Sequence, residues 1–483
     1  MAIILPTIRG LADSKWSGIE HSVTVCRGLD LHSTPGLVKV HQKLTKDSGA
    51  NVDAFCRVVV SASTGYSFWF SYTSGKIWAR SSSGTWTLAY TTVPAAGAAG
   101  CLGAFEYNGY IYWATQSRLH RVTIAGADDS WAAGAVSLDW KTFTITDDSF
   151  HPMAIQDDTL FIGDGYRVAS VDENGTFNDA GTGNSLDIKT PHRIKCMKSL
   201  EDDIVFGTFI HASVARAAVI RWDCVSPSWN SWDDVDEVGV NEFIRDDNFL
   251  YAQCGRSGAI YFYNGEKLEP STRIPGTWTP TQYGEVYPGS SARFRGIPVF
   301  GFSNSPESAN STGNPADQGL YSLGSYSRLY PKILDLSFVI SEAVVATIEI
   351  GAVLVSGNDL FVAWKNGSSY GVDKLDYSNK YASAYFETTM LFGNKRDAYK
   401  ALGRVYSLYE TLPSGTSITF SYKVNHGSYV AMTSETDSKI QAVQAKLTLP
   451  EIGALQIKVE FGVSSNDAPT LEVPLGCDLV ADE

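Results

Sequence analysis

The chain has 483 residues, among them 22 Phe, 24 Tyr, 12 Trp, 43 Gly and only 5 Met, and a formal net charge of -14. That charge excludes a phosphate-reading surface, because nucleic-acid binding needs clustered Lys and Arg to displace counterions and no basic run supplies them. The wealth of aromatics and Gly favours pleated strands and tight turns over packed helices, so the chain reads as all-β and long enough for more than one domain.

The segment Met1 to Gly10 has no long apolar stretch behind a charged start, so no secretory leader is expected in it. Ser22-Val23-Thr24-Val25-Cys26 reads as a strand able to close a ring of sheets by pairing with the last of them. Beyond it, short apolar runs punctuated by Asp, Asn and Gly recur, and helical periodicity is nearly absent. The uncharged stretch Ser81 to Phe105 is too rich in Ser, Thr and Gly for a membrane helix.

Three copies of one pattern are clear. Asp157-Asp158 leads into Thr159 to Gly163 and then Arg167 to Asp172. Asp202-Asp203 leads into Ile204 to Gly207 and then Ala218 to Asp223, and Asp246-Asp247 leads into Asn248 to Tyr251 and then Ala259 to Gly265. A spacing of about 44 residues is the period of four-stranded propeller blades. Fainter copies lie at Gly65 to Phe70 with Lys76 to Arg80, Asn108 to Trp113 with Leu119 to Ile124, Gly296 to Gly301 with Gly319 to Leu323, and Asn358 to Trp364 with Tyr370 to Leu375.

After about Tyr385 the texture changes. Ser417 to Val424 alternates through Ile418, Phe420, Tyr422 and Val424, and Leu455 to Val463 through Leu455, Ile457, Val459, Phe461 and Val463. Strict alternation is what antiparallel strands with one wet face need. The predicted fold is all-β: residues 1–52 as an N-terminal segment with the closing strand, 53–380 as a β-propeller of about seven blades, and 381–483 as a small β-sandwich-like domain. The boundary falls between Leu375 and Glu387.

The 7 cysteines, Cys26, Cys56, Cys101, Cys196, Cys224, Cys254 and Cys477, are scattered without CxxC spacing. They are expected to be buried thiols in a reducing compartment rather than a disulfide framework or zinc site. The Asp pairs fit turns, whose backbone their side chains bond, better than metal ligation or acid–base work. Asp172-Glu173-Asn174-Gly175 with Asp179 begins like a calcium loop but lacks its later Gly and Glu, so a hairpin on Asn174-Gly175 is expected. Ser81 to Trp86 resembles the end of a sialidase Asp box without the defining Asp. Gly367-Ser368-Ser369-Tyr370-Gly371 matches GxSxG, yet a strand rather than a helix follows, so it reads as a turn and not a nucleophile elbow.

The 8 histidines, His21, His32, His41, His120, His151, His192, His211 and His426, form neither HExxH nor a helical pair. Sequons at Asn174, Asn310 and Asn366 follow from a Gly- and Ser-rich composition. Trp229, Trp232, Trp278 and Trp364 are expected as blade core rather than as platforms for sugar rings. No catalytic, cofactor-binding or metal-ligating residue is therefore assigned, and neither a cofactor nor an enzymatic activity is expected.

Two segments carry a family resemblance. The first is Phe386 to Met432, with Glu387-Thr388-Thr389-Met390-Leu391-Phe392-Gly393, a Lys-containing stretch to Arg404-Val405-Tyr406, and Leu412-Pro413-Ser414-Gly415-Thr416-Ser417-Ile418-Thr419. The second is the chain end, Leu455 to Phe461 with Ser464-Ser465-Asn466-Asp467-Ala468-Pro469. Both resemble the C-terminal β-domains of tailed-bacteriophage virion proteins, in which a propeller precedes the β-domain and the whole builds a tail nozzle, tail tip or neck ring. The resemblance implies a structural part of the virion tail, made in the host cytoplasm, that forms a homo-oligomeric ring with other tail or neck proteins. Neither a membrane nor sequence-specific nucleic acid is implied as a partner. Assembly is expected to reside after Tyr385, in the domain with open strand edges, so that a chain cut near Leu375 stays folded and monomeric. The alternatives are a carbohydrate-binding propeller, such as a receptor-binding tail protein with a glycan receptor, and a propeller glycosidase or lyase; fold alone separates none of these.

Overall fold

The computed structural model describes residues 2–5, 23–34, 36–49, 51–95, 97–145, 150–210, 216–247, 249–275, 283–304, 319–324, 332–342, 348–390, 400–424, 427–432, 434, 436, 445–446 and 454–481. Among them the only helical element is a 3-10 turn, Ile124–Gly126. The protein is all-β, made of small, mainly antiparallel sheets.

Successive segments fold back and forth into antiparallel sheets, five of them four-stranded, the third five-stranded and the sixth part of a ten-stranded sheet, that begin with the strands Cys56–Ser61, Gly103–Tyr107, Met153–Gln156, His192–Leu200, Val240–Asp246, Ser291–Phe294 and Ile348–Ser356. These are sheets one to seven. The first strand of each packs against the first strand of the next, and that of sheet seven packs against that of sheet one. The recurring sequence pattern is the turn after the first strand together with the second and third strands of each sheet. In sheets two to six a tight turn joins the first two strands, with left-handed backbone at Asn108, Asp157, Asp158, Glu201, Asp247 and Arg295. Asn, Asp and Gly tolerate that conformation, and it matches the twist of paired strands.

The Asp pairs are not equivalent within this frame. Asp157 and Asp158 are both turn residues. Asp203 already opens the second strand of sheet four and pairs with Arg221, while Asp246 ends the first strand of sheet five and pairs with Lys332. A shift of one or two residues in turn placement escapes a sequence alignment made on acidic pairs alone.

The fourth strand of sheet seven comes from the other end of the chain. It is Gln42–Lys46, with Leu44 opposite Leu375 and Lys46 opposite Asp373. The strand expected to do this, Val23–Arg27, instead pairs with Ala384–Thr388 and meets Leu336 of sheet six through Arg27 in parallel; Ser22 lies outside the described residues. Two further sheets combine both chain ends. One contains Leu29–Asp30, Leu37–Val40, Thr470–Ala481, Lys400–Tyr409, Ala445–Lys446 and Ala2–Leu5. The other runs through Val23–Arg27, Ala384–Thr388, Leu455–Gly462, Ser417–Val424 and Val430–Ala431, continuous with sheet six. One apolar core joins them: Val38, Val405 and Leu471 from the first, and Val23, Phe386, Ile418, Phe420 and Val459 from the second. A cut near Leu375 would thus sever the strand Ser369–Lys380 and strip Val23–Arg27 of its antiparallel partner.

Between sheets one and two the core is aromatic, with Phe68, Phe70, Trp113 and Trp131 fully or nearly buried. His120 lies against it, its ring stacked 5.2 Å from that of Trp113. His120 Nδ1 accepts the Asp139 backbone N–H at 2.9 Å, and Nε2 is 3.1 Å from the Thr115 hydroxyl. Protonating Nδ1 would set one N–H against another. Burial is the main cause that pushes the His120 pKa down from 6.5 to about 4, with Arg118 adding to it and Asp139 opposing. Because the folded value lies below the unfolded one, this contribution to stability is complete above about pH 6.5 and is lost as pH falls toward 4. The loss is on the order of 3 kcal/mol. Urea melts between pH 7 and 4 should therefore fall less steeply for His120→Gln than for the parent; parallel curves would refute the assignment.

Candidate functional site

In four sheets the pairing of the first two strands slips near the start of the first strand: between Cys56 and Val58, Ile194 and Cys196, Val240 and Glu242, and Ile350 and Val353. A bulge leaves one residue out of the ladder and re-aims its side chain. In sheets one and four that extra residue is a cation, Arg57 and Lys195. In sheet five it is Asn241, whose amide donates to Gln253 Oε1 at 2.8 Å and to the Gly255 carbonyl at 2.7 Å.

The first strands lie side by side, so their starting ends, the finishing ends of the second strands and the links between sheets all converge at one end of the array. Glu349 comes from the first strand of sheet seven and Lys365 stands opposite it on the second. Glu285 and Tyr287 come from the chain between sheets five and six, and Phe150 from the link into sheet three.

These side chains touch. Lys195 Nζ donates to Glu285 Oε2 at 2.8 Å, and their side chains are only 3% and 5% exposed. Glu349 accepts from Lys365 and from the Tyr287 hydroxyl, the latter at 3.1 Å. The guanidinium carbon of Arg57 lies 4.0 Å from the centre of the Tyr287 ring and 4.1 Å from that of Tyr72. Phe150 is shared, its ring 5.9 Å from Arg57 and 5.0 Å from Lys195 Nζ. Burial, then the charges of Glu349 and Glu285, push the Tyr287 phenol well above its usual range, so it remains a protonated donor. Guanidinium, ammonium and phenol donors thus stand beside carboxylate acceptors and aromatic faces. That is equipment for holding a polar ligand, and its groups are of the kinds that move protons.

None of these residues was singled out from the sequence. The available signal was a break in alternation: Cys56 and Arg57 are consecutive and both buried, as are Lys195 and Cys196. The residues that were considered fall elsewhere. Asp172 Oδ1 accepts the backbone N–H of Asn174 and of Thr176, which makes that segment a turn. Gly367 and Ser368 form the turn between the strands Asp359–Asn366 and Ser369–Lys380, with no helix after them. Trp364 is core and donates to Asp373 at 2.7 Å. Trp229 and Trp232 are half-buried, 5.3 Å apart, and pack on the core of sheets three and four. Cys26, Cys56, Cys101, Cys196, Cys224 and Cys254 are free and buried, and among the described residues no three His, Cys, Asp or Glu gather as a metal site. His21, His211, His426, Trp278, Asn310, Leu391 to Gly393 and the side chain of Cys477 lie outside the described residues.

Two other features compete for attention. His32, Ser322 and Asp335 meet at the junction of sheet six with the N-terminal segment, but His32 Nε2 faces both Ser322 Oγ and Asp335 Oδ1 at 3.0 Å. A nucleophilic triad needs a separate ring nitrogen for each, so this buried group is structural. At the opposite end of the first strands an open cleft of about 660 Å³ is lined by Val59 to Ser63, Ala104 to Asn108 and Ile155. Its one carboxylate, Glu106, accepts the Ser63 backbone N–H. It offers far less chemistry than the charged end.

No family model and no curated relative matches the chain. Among solved structures, it is similar to the extracellular domain of a putative hybrid two-component system of B. thetaiotaomicron, at 13% identity and a TM-score of 0.46, covering 83% of this chain and 47% of that one. The chain thus spans about half the length of that protein. It is also similar to a streptogramin B lyase, at 11% identity and a TM-score of 0.45 over 70% of this chain and 98% of that one. An exo-beta-1,3-galactanase of Phanerochaete chrysosporium aligns at 12% identity with a TM-score of 0.28, over 68% of this chain and 95% of that one. At such scores these likenesses carry no argument for a particular ligand or reaction.

The virion reading finds no support in any of these comparisons and is withdrawn. No virion family matches, and the named structures are two enzymes and a signalling domain, none a phage protein. The tail or neck role, the ring-forming tail partners and the virion location rested on that resemblance and fall with it; the expectation of no enzymatic activity rested on the lack of a catalytic motif and is withdrawn as well, the lyase and the galactanase being enzymes. The physical reason is that its motifs are generic. Glu387, Ser417 to Thr419 and Leu455 to Phe461 lie in ordinary strands of one sheet and Leu412 to Thr416 in the turn that leads into Ser417–Val424, and any antiparallel pair displays such alternation.

Proposed function

We propose that sheets one to seven are the blades of a closed seven-bladed propeller, that both chain ends build a β-sandwich beside it, and that the protein binds carbohydrate at the mouth of the propeller axis. The reading is carried by the convergence of Arg57, Lys195, Glu285, Tyr287, Glu349 and Lys365 at one end of the first strands. Cyclic contact of the first strands and the pairing of Leu44 with Leu375 support closure. A saccharide suits the mouth because its hydroxyls both donate and accept, while its apolar ring faces lie well on aromatic side chains. Both carboxylates and the phenol can also act on what they hold, so turnover belongs in the same test.

An oligosaccharide array should identify ligands, which are then incubated with the protein and analysed for cleavage. Glu349→Gln is expected to weaken binding about tenfold or more, the scale of one lost charged hydrogen bond. Glu106→Gln, at the opposite end, should bind as the parent does. Binding to no saccharide, or equal binding by Glu349→Gln and the parent, would overturn the reading.

A further inference from the structure

We infer that the saccharide taken at this mouth is acidic, and that Arg57 anchors its oxyanion, a carboxylate or a sulfate; this rests on the carbohydrate reading above. Arg57 is only 5% exposed. It is held by the Tyr72 and Tyr287 rings, and among the described residues it has no carboxylate partner. Its neighbours divide the acids between themselves: Lys195 takes Glu285, and Lys365 takes Glu349. Among the described residues each of the two lysines thus has a carboxylate, and Arg57 has aromatic faces instead.

A buried guanidinium without an anion is costly, and aromatic faces compensate only part of that cost. The bulge at Arg57 keeps the side chain in this position against the alternation of its strand. With rings over its carbon, the guanidinium has its N–H donors left in its own plane, the geometry that grips a carboxylate or sulfate edge. At the same end of sheet five, Arg256 lies 4.5 Å from the centre of the Tyr283 ring, a further cation stacked in the same way. An acidic chain would meet both.

The test compares three oligosaccharide sets of matched length, one bearing uronic acids, one sulfated and one neutral, by calorimetry on the full chain. The parent should prefer an acidic set, with affinity falling as salt rises. Arg57→Gln should lose about thirtyfold or more of that affinity, a far larger loss than it causes for the neutral set, and Arg57→Lys should recover part. Arg57→Gln should also melt no lower than the parent, because it removes an unpaired buried charge; a marked drop in melting with ligand preference unchanged would make Arg57 structural and sink the inference. Which acidic set depends on Arg57 identifies the oxyanion. Equal binding of neutral and acidic sets overturns the inference and leaves the carbohydrate reading standing. Binding of none of the sets overturns both.

Discussion

A chain that begins at residue 53 should fail to fold cooperatively, and Leu44→Asp in the full chain should lower stability by about 4 kcal/mol or more. Leu44 is 3% exposed and shares a core with Leu360, Val362, Trp364 and Leu375. Its strand is the outer partner of Ser369–Lys380, and without it that strand presents an open edge. The same truncation removes Val23, Cys26, Leu29, Val38 and Val40 from the core shared by the two terminal sheets. Protease resistance and the thermal midpoint are the measurements. A truncated chain that melts and resists protease like the parent would show that the N-terminal strands are dispensable.

Breaking the buried Lys195–Glu285 pair should be nearly as damaging. Lys195→Met leaves Glu285 almost wholly buried beside an apolar side chain, and the loss of one partner from such a pair costs about 3 kcal/mol or more. Replacing both, Lys195→Met with Glu285→Gln, removes the stranded charge and should restore most of the stability. Urea denaturation of the two variants and the parent decides it. If the double variant is no more stable than Lys195→Met, the damage comes from lost packing against Phe150 and not from charge.

Which parts of this molecule could be read beforehand follows from the range of the interactions involved. The turns and the two strands that follow each were legible because their causes are local: Asn108-Gly109 and Asp157-Asp158 adopt left-handed backbone at low cost, and the apolar runs after them pair with their neighbours in sequence. The terminal strands Ser417–Val424 and Leu455–Gly462 were legible for the same kind of reason, since one wet face imposes alternation on each. The virion resemblance failed on the same ground, because alternation and turns identify a strand pair and not a family.

The sequence by itself determined an all-β chain with recurring turn-and-hairpin units at about 44-residue intervals and cysteines without metal-site spacing. Only the tertiary structure decided which strand completes sheet seven. Gln42–Lys46 has one deeply buried residue and no pattern of its own, and it finds its place through Leu375, more than 300 residues away. Tertiary structure also decided the candidate site. A bulge is a mismatch between two strands and is not a property of either alone. Arg57 and Lys195 therefore look in the sequence like ordinary polar residues of a strand, and become buried members of one cluster only when the partner strand and the neighbouring sheets fix where they point.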